Sequence, residues 1–147
     1  MATWAELERA DPELAGFGLG RIEGKVVYHA TLRADGSPRI HPVSPWFGAG
    51  FLVVAFRARS PKVAELARDA RYAMHTAIDP GDHDGAAGEF LVRGWMEQLD
   101  PEHPAVAARP YTASYPLAHF ACSVEEAVAT TYEGDTPVYR RWRGPAR

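Results

Sequence analysis

The sequence has little of the chemistry that marks several large protein classes. Its 147 residues contain one cysteine, Cys122, which excludes an intrachain disulfide framework and a cysteine-rich zinc site. Sixteen Lys and Arg residues stand against 19 Asp and Glu, a formal net charge of −3. The chain therefore lacks the broad positive field that binds nucleic acid or anionic membranes, and any anion site must be local.

Long apolar segments are also missing. No run approaches the length that spans a membrane, and the first residues, MATWAELERADPEL, lack the basic and apolar regions of a signal peptide. One cysteine fits a reducing compartment, so we expect a cytoplasmic protein. The length, with 46% hydrophobic residues, predicts one domain over residues 1–147.

Catalytic motifs are absent as well. The chain has no nucleophile elbow, Walker loop or G-x-G-x-x-G, and its six histidines lack the spacing of metal ligands. We predict no metal, and only His41 and His75 are candidates for ligand contacts. Cys122 alternates with Phe120 and Val124, which is typical of a small core residue. Any redox chemistry would therefore come from a bound cofactor.

The hydrophobic pattern favours strands over helices. Residues 3–19 predict one or two short helices, which the glycines at 16, 18 and 20 should end. Strands are expected at 26–33 and 38–46 around an Asp-Gly turn, and at 51–56, where FLVVAF is apolar enough for a central strand covered on both faces.

The remaining chain continues this pattern. Strands are expected in RYAMHTAI and EFLVRGWMEQL, separated by a loop over 79–88, and in LAHFACSV, AVATTY and PVYRRW. A short helix is expected within 100–109. Hairpin-linked strands with one inserted helix indicate an antiparallel barrel or sandwich.

That inserted helix begins in FRARSPKVAEL with an unusual concentration of positive charge. Ser60 is a good N-cap and Pro61 suits the first helical position. Arg57, Arg59 and Lys62 lie near the positive end of the helix dipole, where each cation costs roughly 0.3–1 kcal/mol. A bound phosphate would resolve the conflict. The alternative is a simple capping signal with solvated cations.

The segment PRIHPVSP places Pro42 inside an expected strand. Proline removes a donor from the strand ladder, so this strand should be an edge, be bulged, or direct its backbone toward something other than a neighbouring strand. The edge of a flat heteroaromatic ligand would suit such a strand. The alternative is an edge strand that prolines protect from aggregation.

The order of these segments resembles a known family. ATLRADGSPRIHPV, an apolar strand, SPKVAELARDARYAMHT, EFLVRGWMEQL and the ending FACSVEEAVATTYEGDTPVYRRWRG are together similar to the pyridoxamine 5′-phosphate oxidase-like, FMN-binding split β-barrel family, which includes flavin and deazaflavin oxidoreductases. The resemblance implies a mainly β fold: a six-stranded antiparallel split barrel over residues 25–143, preceded by a helical segment over residues 1–24. It also implies a homodimer with cofactor sites at the interface.

The resemblance further implies a set of FMN-binding residues. One group would lie beside the isoalloxazine ring and the other around the phosphate: His41, Pro42, Val43 and Ser44, then Phe56, Arg57, Ser60 and Lys62. Glu89 falls where some members contact the ring from the partner subunit. Trp142 either covers the site or packs in the core or dimer.

The function expected from this resemblance is an FMN-dependent oxidoreductase that acts on an unidentified small organic substrate. The alternatives are a deazaflavin-dependent reductase, a non-catalytic flavin- or haem-binding protein with His41 or His75 as axial ligand, and a barrel without cofactor. Pyridoxamine phosphate oxidation itself is not expected, since RRWRGPAR matches the C-terminal basic residues of that enzyme only in part.

Overall fold

A computed structural model describes residues 1–78, 82 and 87–146, so most of the loop expected over 79–88 lies outside the described residues. The helices are α1 Trp4–Ala10, α2 Pro12–Ile22, α3 Pro61–Arg68 and α4 Pro104–Ala107. The strands are β1 Val27–Leu32, β2 Pro38–Val43, β3 Trp46–Gly48, β4 Phe51–Arg57, β5 Arg71–Thr76, β6 Glu89–Leu99, β7 Leu117–Cys122, β8 Glu126–Glu133 and β9 Thr136–Arg143. No helix within these ranges is long and apolar enough to cross a membrane.

The strands form a curled antiparallel sheet in the order β2-β1-β5-β6-β7-β4-β3, with β8 paired to β6 and β9 paired to β8. Strand β6 belongs to both halves, because Glu89–Arg93 pair with β8 and Met96–Leu99 pair with β7. Gly94 lies where the strand passes from one half to the other. A Cβ there would collide with the Ser123 carbonyl, so the close approach requires glycine.

The fold is therefore a split antiparallel β-barrel, as expected, but the described residues contain nine strands and the expected number of six was wrong. The segment expected as one strand over 38–46 is divided, because Ser44-Pro45 interrupts the ladder and β3 pairs separately with β4. The C-terminal hairpin of β8 and β9 extends the sheet further.

Several local predictions are confirmed. Strand β4 is covered on both faces: Leu52 and Val54 lie in the main core, while Val53 packs with Trp46 and Ala105 in a smaller cluster. Strand β2 is an edge strand, which accommodates Pro42. The β1–β2 turn is stabilised by Asp35, whose carboxylate accepts hydrogen bonds from Ser37.

The N-terminal helices close over the barrel core. Thr3 caps α1 through a reciprocal pair of hydrogen bonds with Glu6. The fully buried Leu7 and Leu14 join the same core as the barrel strands. Trp4 is almost fully buried, and its ring lies 6.0 Å from that of Phe90 on β6.

The glycines at 16, 18 and 20 do not end the helical segment, which was a wrong prediction, because α2 continues to Ile22. A tertiary contact explains Gly18. A Cβ at this position would lie 2.5 Å from the buried Phe90 ring, so the helix can approach β6 only through glycine. Nothing lies within 4 Å of a Cβ built at Gly16 or Gly20.

We therefore predict opposite effects for two alanine substitutions in α2. Gly18→Ala should lower the free energy of unfolding by about 1–3 kcal/mol, because it overpacks the core against Phe90. Gly16→Ala should raise it by roughly 0.5–1 kcal/mol through helix propensity alone. Urea denaturation of both variants beside the wild type checks this, and equal stability of the two variants would contradict the packing.

Candidate functional site

A cavity of about 780 Å³ lies between the ends of β2 and β4, two strands that are not paired with each other. The start of α3 and the segment leading into β7 complete its wall. Its lining residues are Val26, Pro42, Val43, Ser44, Ala55, Phe56, Arg57, Arg59, Ser60, Pro61, Lys62, Tyr111, Tyr115 and Leu117.

Seven of the eight residues that the resemblance implied lie in this one wall, brought there from two segments of the chain. The end of β2 and the residue after it contribute Pro42, Val43 and Ser44, and the β4–α3 connection contributes the others. His41 does not line the cavity. Register explains the difference, since His41 pairs with the fully buried His29 of β1.

The cavity wall is positively charged. It contains Arg57, Arg59 and Lys62, and none of the described residues contributes a carboxylate to it. Within the described part of the chain, no acidic side chain lies within ion-pair distance of these three cations. Burial, together with the charge of Arg39, lowers the pKa of Lys62. Arg57 and Arg59 are exposed, so the cost of burial falls on Lys62, and an anion beside it would favour its charged form.

The nearest acidic side chain on α3 is already engaged. Glu65, which is 4% exposed, receives a bidentate pair from Arg39 with a shortest distance of 2.7 Å. It also accepts a hydrogen bond from the Thr31 hydroxyl. These hydrogen bonds, first that of Arg39, lower the pKa of Glu65. Glu65 is therefore committed to joining α3 to β1 and β2.

The first turn of α3 leaves few backbone donors for an anion. Pro61 has no N–H, and the Val63 N–H binds the Ser60 carbonyl at 3.1 Å. The Lys62 N–H reaches the Ser60 hydroxyl at 3.4 Å, which is a long hydrogen bond. An anion here would therefore be held mainly by side chains and by the helix dipole.

A pair of histidines lies on the inner side of the sheet beside this site. His29 Nδ1 and His41 Nε2 are 3.1 Å apart, and the two outer nitrogens, His29 Nε2 and His41 Nδ1, are buried without a partner among the described residues. Burial lowers the pKa of His29 to about 3, with His41 and Lys62 contributing. Burial also lowers the pKa of His41 to about 4, assisted by Lys62 and Arg39. Both rings are neutral near pH 7.

The other candidate residues lie away from the cavity. His75 Nδ1 hydrogen-bonds the Thr76 carbonyl at 2.7 Å, and its Nε2 lies 3.4 Å from Glu89. Neither residue lines the cavity. Trp142 packs against the main core. Cys122 is fully buried, and burial raises the pKa of its thiol, as expected of a core residue.

Sequence reasoning missed the aromatic part of the wall. Tyr111 and Tyr115 lie in an irregular segment far from α3 along the chain, and they line the same cavity as residues of β2 and β4. The only available signal was their position, since the pair immediately precedes a strand of the barrel and lacks the alternation of a core strand.

Comparisons with known proteins identify the fold class. Neither a family model nor a curated protein sequence matches the chain. Solved structures do: a haem-binding protein from Mycobacterium smegmatis aligns with a TM-score of 0.66 and 18% identity, over 97% of this chain and 59% of that one. The chain thus spans less than two thirds of that protein.

The names of two further similar structures mention other cofactors. A pyridoxamine 5′-phosphate oxidase-related, FMN-binding protein from Nostoc punctiforme aligns with a TM-score of 0.58 and 8% identity, over 95% of this chain and 97% of that one. An F420 reductase aligns with a TM-score of 0.55 and 16% identity, over 73% of this chain and 91% of that one. At these identities the likeness shows the fold. This chain shares the split antiparallel β-barrel fold of these structures.

The histidine pair predicts a loss of stability in mild acid. Because the pKa of His29 is about 3 in the folded protein and about 6.5 when unfolded, the unfolded state takes up the proton first as the pH falls. The contribution of His29 to stability is fully present above the unfolded pKa of about 6.5, and it is lost as the pH falls toward the folded pKa of about 3. The loss from His29 alone should be on the order of 2 kcal/mol between about pH 7 and about pH 5.

Urea denaturation across this pH range checks the effect. His29→Phe should reduce the slope of stability against pH, whatever its effect on stability near pH 7. The wild-type protein, measured under the same conditions, supplies the reference slope. An unchanged slope in His29→Phe would contradict the neutral buried pair.

Proposed function

We propose that the cavity binds FMN and that the protein is a flavin-dependent oxidoreductase acting on a small organic substrate. The single observation that carries the proposal is the convergence of Arg57, Arg59 and Lys62 near a helix N-terminus, in one cavity to which the described part of the chain contributes no carboxylate. A phosphate monoester carries close to two negative charges at neutral pH. This donor set fits such a group.

The phosphate would be held where α3 begins. Lys62 supplies a partly buried ammonium group, and Ser60 can donate its hydroxyl proton while its oxygen caps the helix. Arg59 adds a second cation on the same wall. The dipole of α3 points its positive end at the same place, so backbone and side chains act together.

The ring system would lie along the end of β2. Pro42, Val43 and Ser44 form one side of the cavity, and Phe56 adds an aromatic face. Since Pro42 has no N–H and β2 is an edge strand, this backbone is not fully committed to a neighbouring strand. When bound, FMN would supply the hydride or electron transfer, while these residues would orient its ring and exclude water from one face.

Alternative cofactors receive less support from this cavity. A deazaflavin coenzyme also carries a phosphate, so the start of α3 fits it equally well, but the wall offers no extended basic groove for a polyglutamate tail. Haem would require an axial ligand. Both nitrogens of His41 are buried or paired with His29, and His75 does not line the cavity.

We also propose a homodimer that completes the cavity. The outer face of the sheet carries an apolar surface formed by Tyr28, Ala30, Ile40, Ala73 and Leu91. Tyr28 is 52% exposed and Ile40 is 71% exposed. The surface continues to the cavity, because the cross-strand partner of Tyr28 is the lining residue Pro42. A second copy on this surface would bury the apolar side chains and border the open cavity.

The phosphate assignment predicts that Lys62→Ala weakens FMN binding by roughly tenfold, through loss of a charge-assisted contact. Riboflavin, which lacks the phosphate, should bind the variant and the wild type about equally. Ser60→Ala should act in the same direction with a smaller effect. Titration of flavin fluorescence measures both ligands.

The matched control is Arg68→Ala, which removes a cation from the exposed far end of the same helix. It should leave both flavin affinities unchanged, and urea denaturation should show all variants folded. Equal FMN affinity in Lys62→Ala, Ser60→Ala and the wild type would contradict a phosphate site at the start of α3.

The dimer proposal predicts that Ile40→Glu shifts the protein from dimer to monomer, because a buried unpaired carboxylate opposes association. Sedimentation velocity across a range of concentrations measures the shift. Val138→Glu alters an exposed valine of β9 outside the apolar surface, so it should leave the dimer intact. A wild-type monomer at all concentrations would contradict the proposal.

A further inference from the structure

The positive charge that lines the cavity exceeds the negative charge of one phosphate group. Three cations line it, and a phosphate monoester contributes nearly two negative charges. Lys62 lies in the first turn of α3 and Arg59 lies immediately before its N-cap Ser60, which leaves Arg57, the last residue of β4, as the surplus cation. An anionic group on a second ligand would balance Arg57.

Arg57 is directed to an aromatic surface. Its guanidinium lies 4.1 Å from the centroid of the Tyr115 ring, within the range of a cation–π contact. The backbone fixes this arrangement, since the Ala58 N–H binds the Pro116 carbonyl at 3.0 Å and Arg57 is the cross-strand partner of Leu117. The ring and the cation therefore form one rigid corner of the cavity.

A second tyrosine extends the same wall. Tyr111 meets Trp46 edge to face at 5.9 Å. The guanidinium of Arg109 donates to the Tyr111 carbonyl at 2.8 Å and lies 3.0 Å from His119 Nε2 on β7, which ties this irregular segment to the sheet. Tyr111 and Tyr115 remain 38% and 43% exposed, although both face a cavity. Rigid, partly exposed aromatic rings on a cavity wall are typical of ligand contacts.

We infer that Tyr111, Tyr115 and Arg57 form the substrate subsite, and that the substrate is a planar aromatic molecule carrying a carboxylate or a similar anion. Its ring stacks on the tyrosines and its charge pairs with Arg57, which Tyr115 positions. This inference rests on the proposed function, because the surplus of charge is counted after the cofactor phosphate. The flavin ring would then lie along the end of β2.

Isothermal titration with three probes tests the subsite on protein first loaded with FMN. Naphthoate carries both the ring and the charge, naphthylmethanol carries the ring alone, and cyclohexanecarboxylate carries the charge alone. Naphthoate should bind tightest. Tyr115→Leu should lower the affinity for naphthoate by roughly fivefold, whereas Tyr115→Phe, which retains the ring, should keep the wild-type affinity. Arg57→Gln should lower the affinity for naphthoate by roughly tenfold and leave the affinity for naphthylmethanol unchanged.

The outcomes separate this inference from the cofactor proposal. Failure of the wild type to load FMN would overturn the cofactor proposal, and the same titrations on flavin-free protein would still test whether Tyr115 and Arg57 bind an aromatic anion. Loading with FMN, followed by equal affinity for all three probes, would overturn the subsite alone. Equal naphthoate affinity in Tyr115→Leu and Tyr115→Phe would also overturn it.

Discussion

Positive charge gathered at the start of α3 is the constraint on which the candidate site depends. Arg57, Arg59 and Lys62 lie where the helix dipole already favours an anion, and within the described residues they have no acidic partner. The nearby Glu65 offsets part of the charge at Lys62, but its carboxylate is held by Arg39 and Thr31. A phosphate-bearing ligand would pair with these cations and gain binding free energy from them.

The barrel positions this charge in an opening between two strands that do not pair with each other. Strands β2 and β4 approach each other without joining, and the cavity lies in the opening between them. The buried pairs His29–His41 and Arg39–Glu65 connect β1, β2 and α3 beneath it, so the cavity wall rests on a polar network inside the sheet. The segment with Tyr111 and Tyr115 completes the wall. One opening thus brings together three cations, an edge strand and two tyrosines.

Local patterns predicted much of this arrangement. The alternation of Phe90 and Val92, the Asp-Gly turn and the Ser60-Pro61 cap each depend on neighbours in sequence, and all three occur in the structure. Features set by distant contacts were missed. Gly18 lies inside a helix because Phe90 needs the space, and Tyr115 reaches the cavity because β7 pairs with β4. The inward position of His41 follows from its register with His29, which composition does not reveal.

The most direct test of the central claim compares FMN with riboflavin on the unmodified protein. After incubation with each flavin and gel filtration, the visible absorption spectrum reports how much ligand the protein retains. The charge at α3 predicts that FMN is retained and riboflavin is largely lost, with the difference decreasing as salt is added. Equal retention of both flavins, or retention of neither, would contradict a phosphate site at the start of α3.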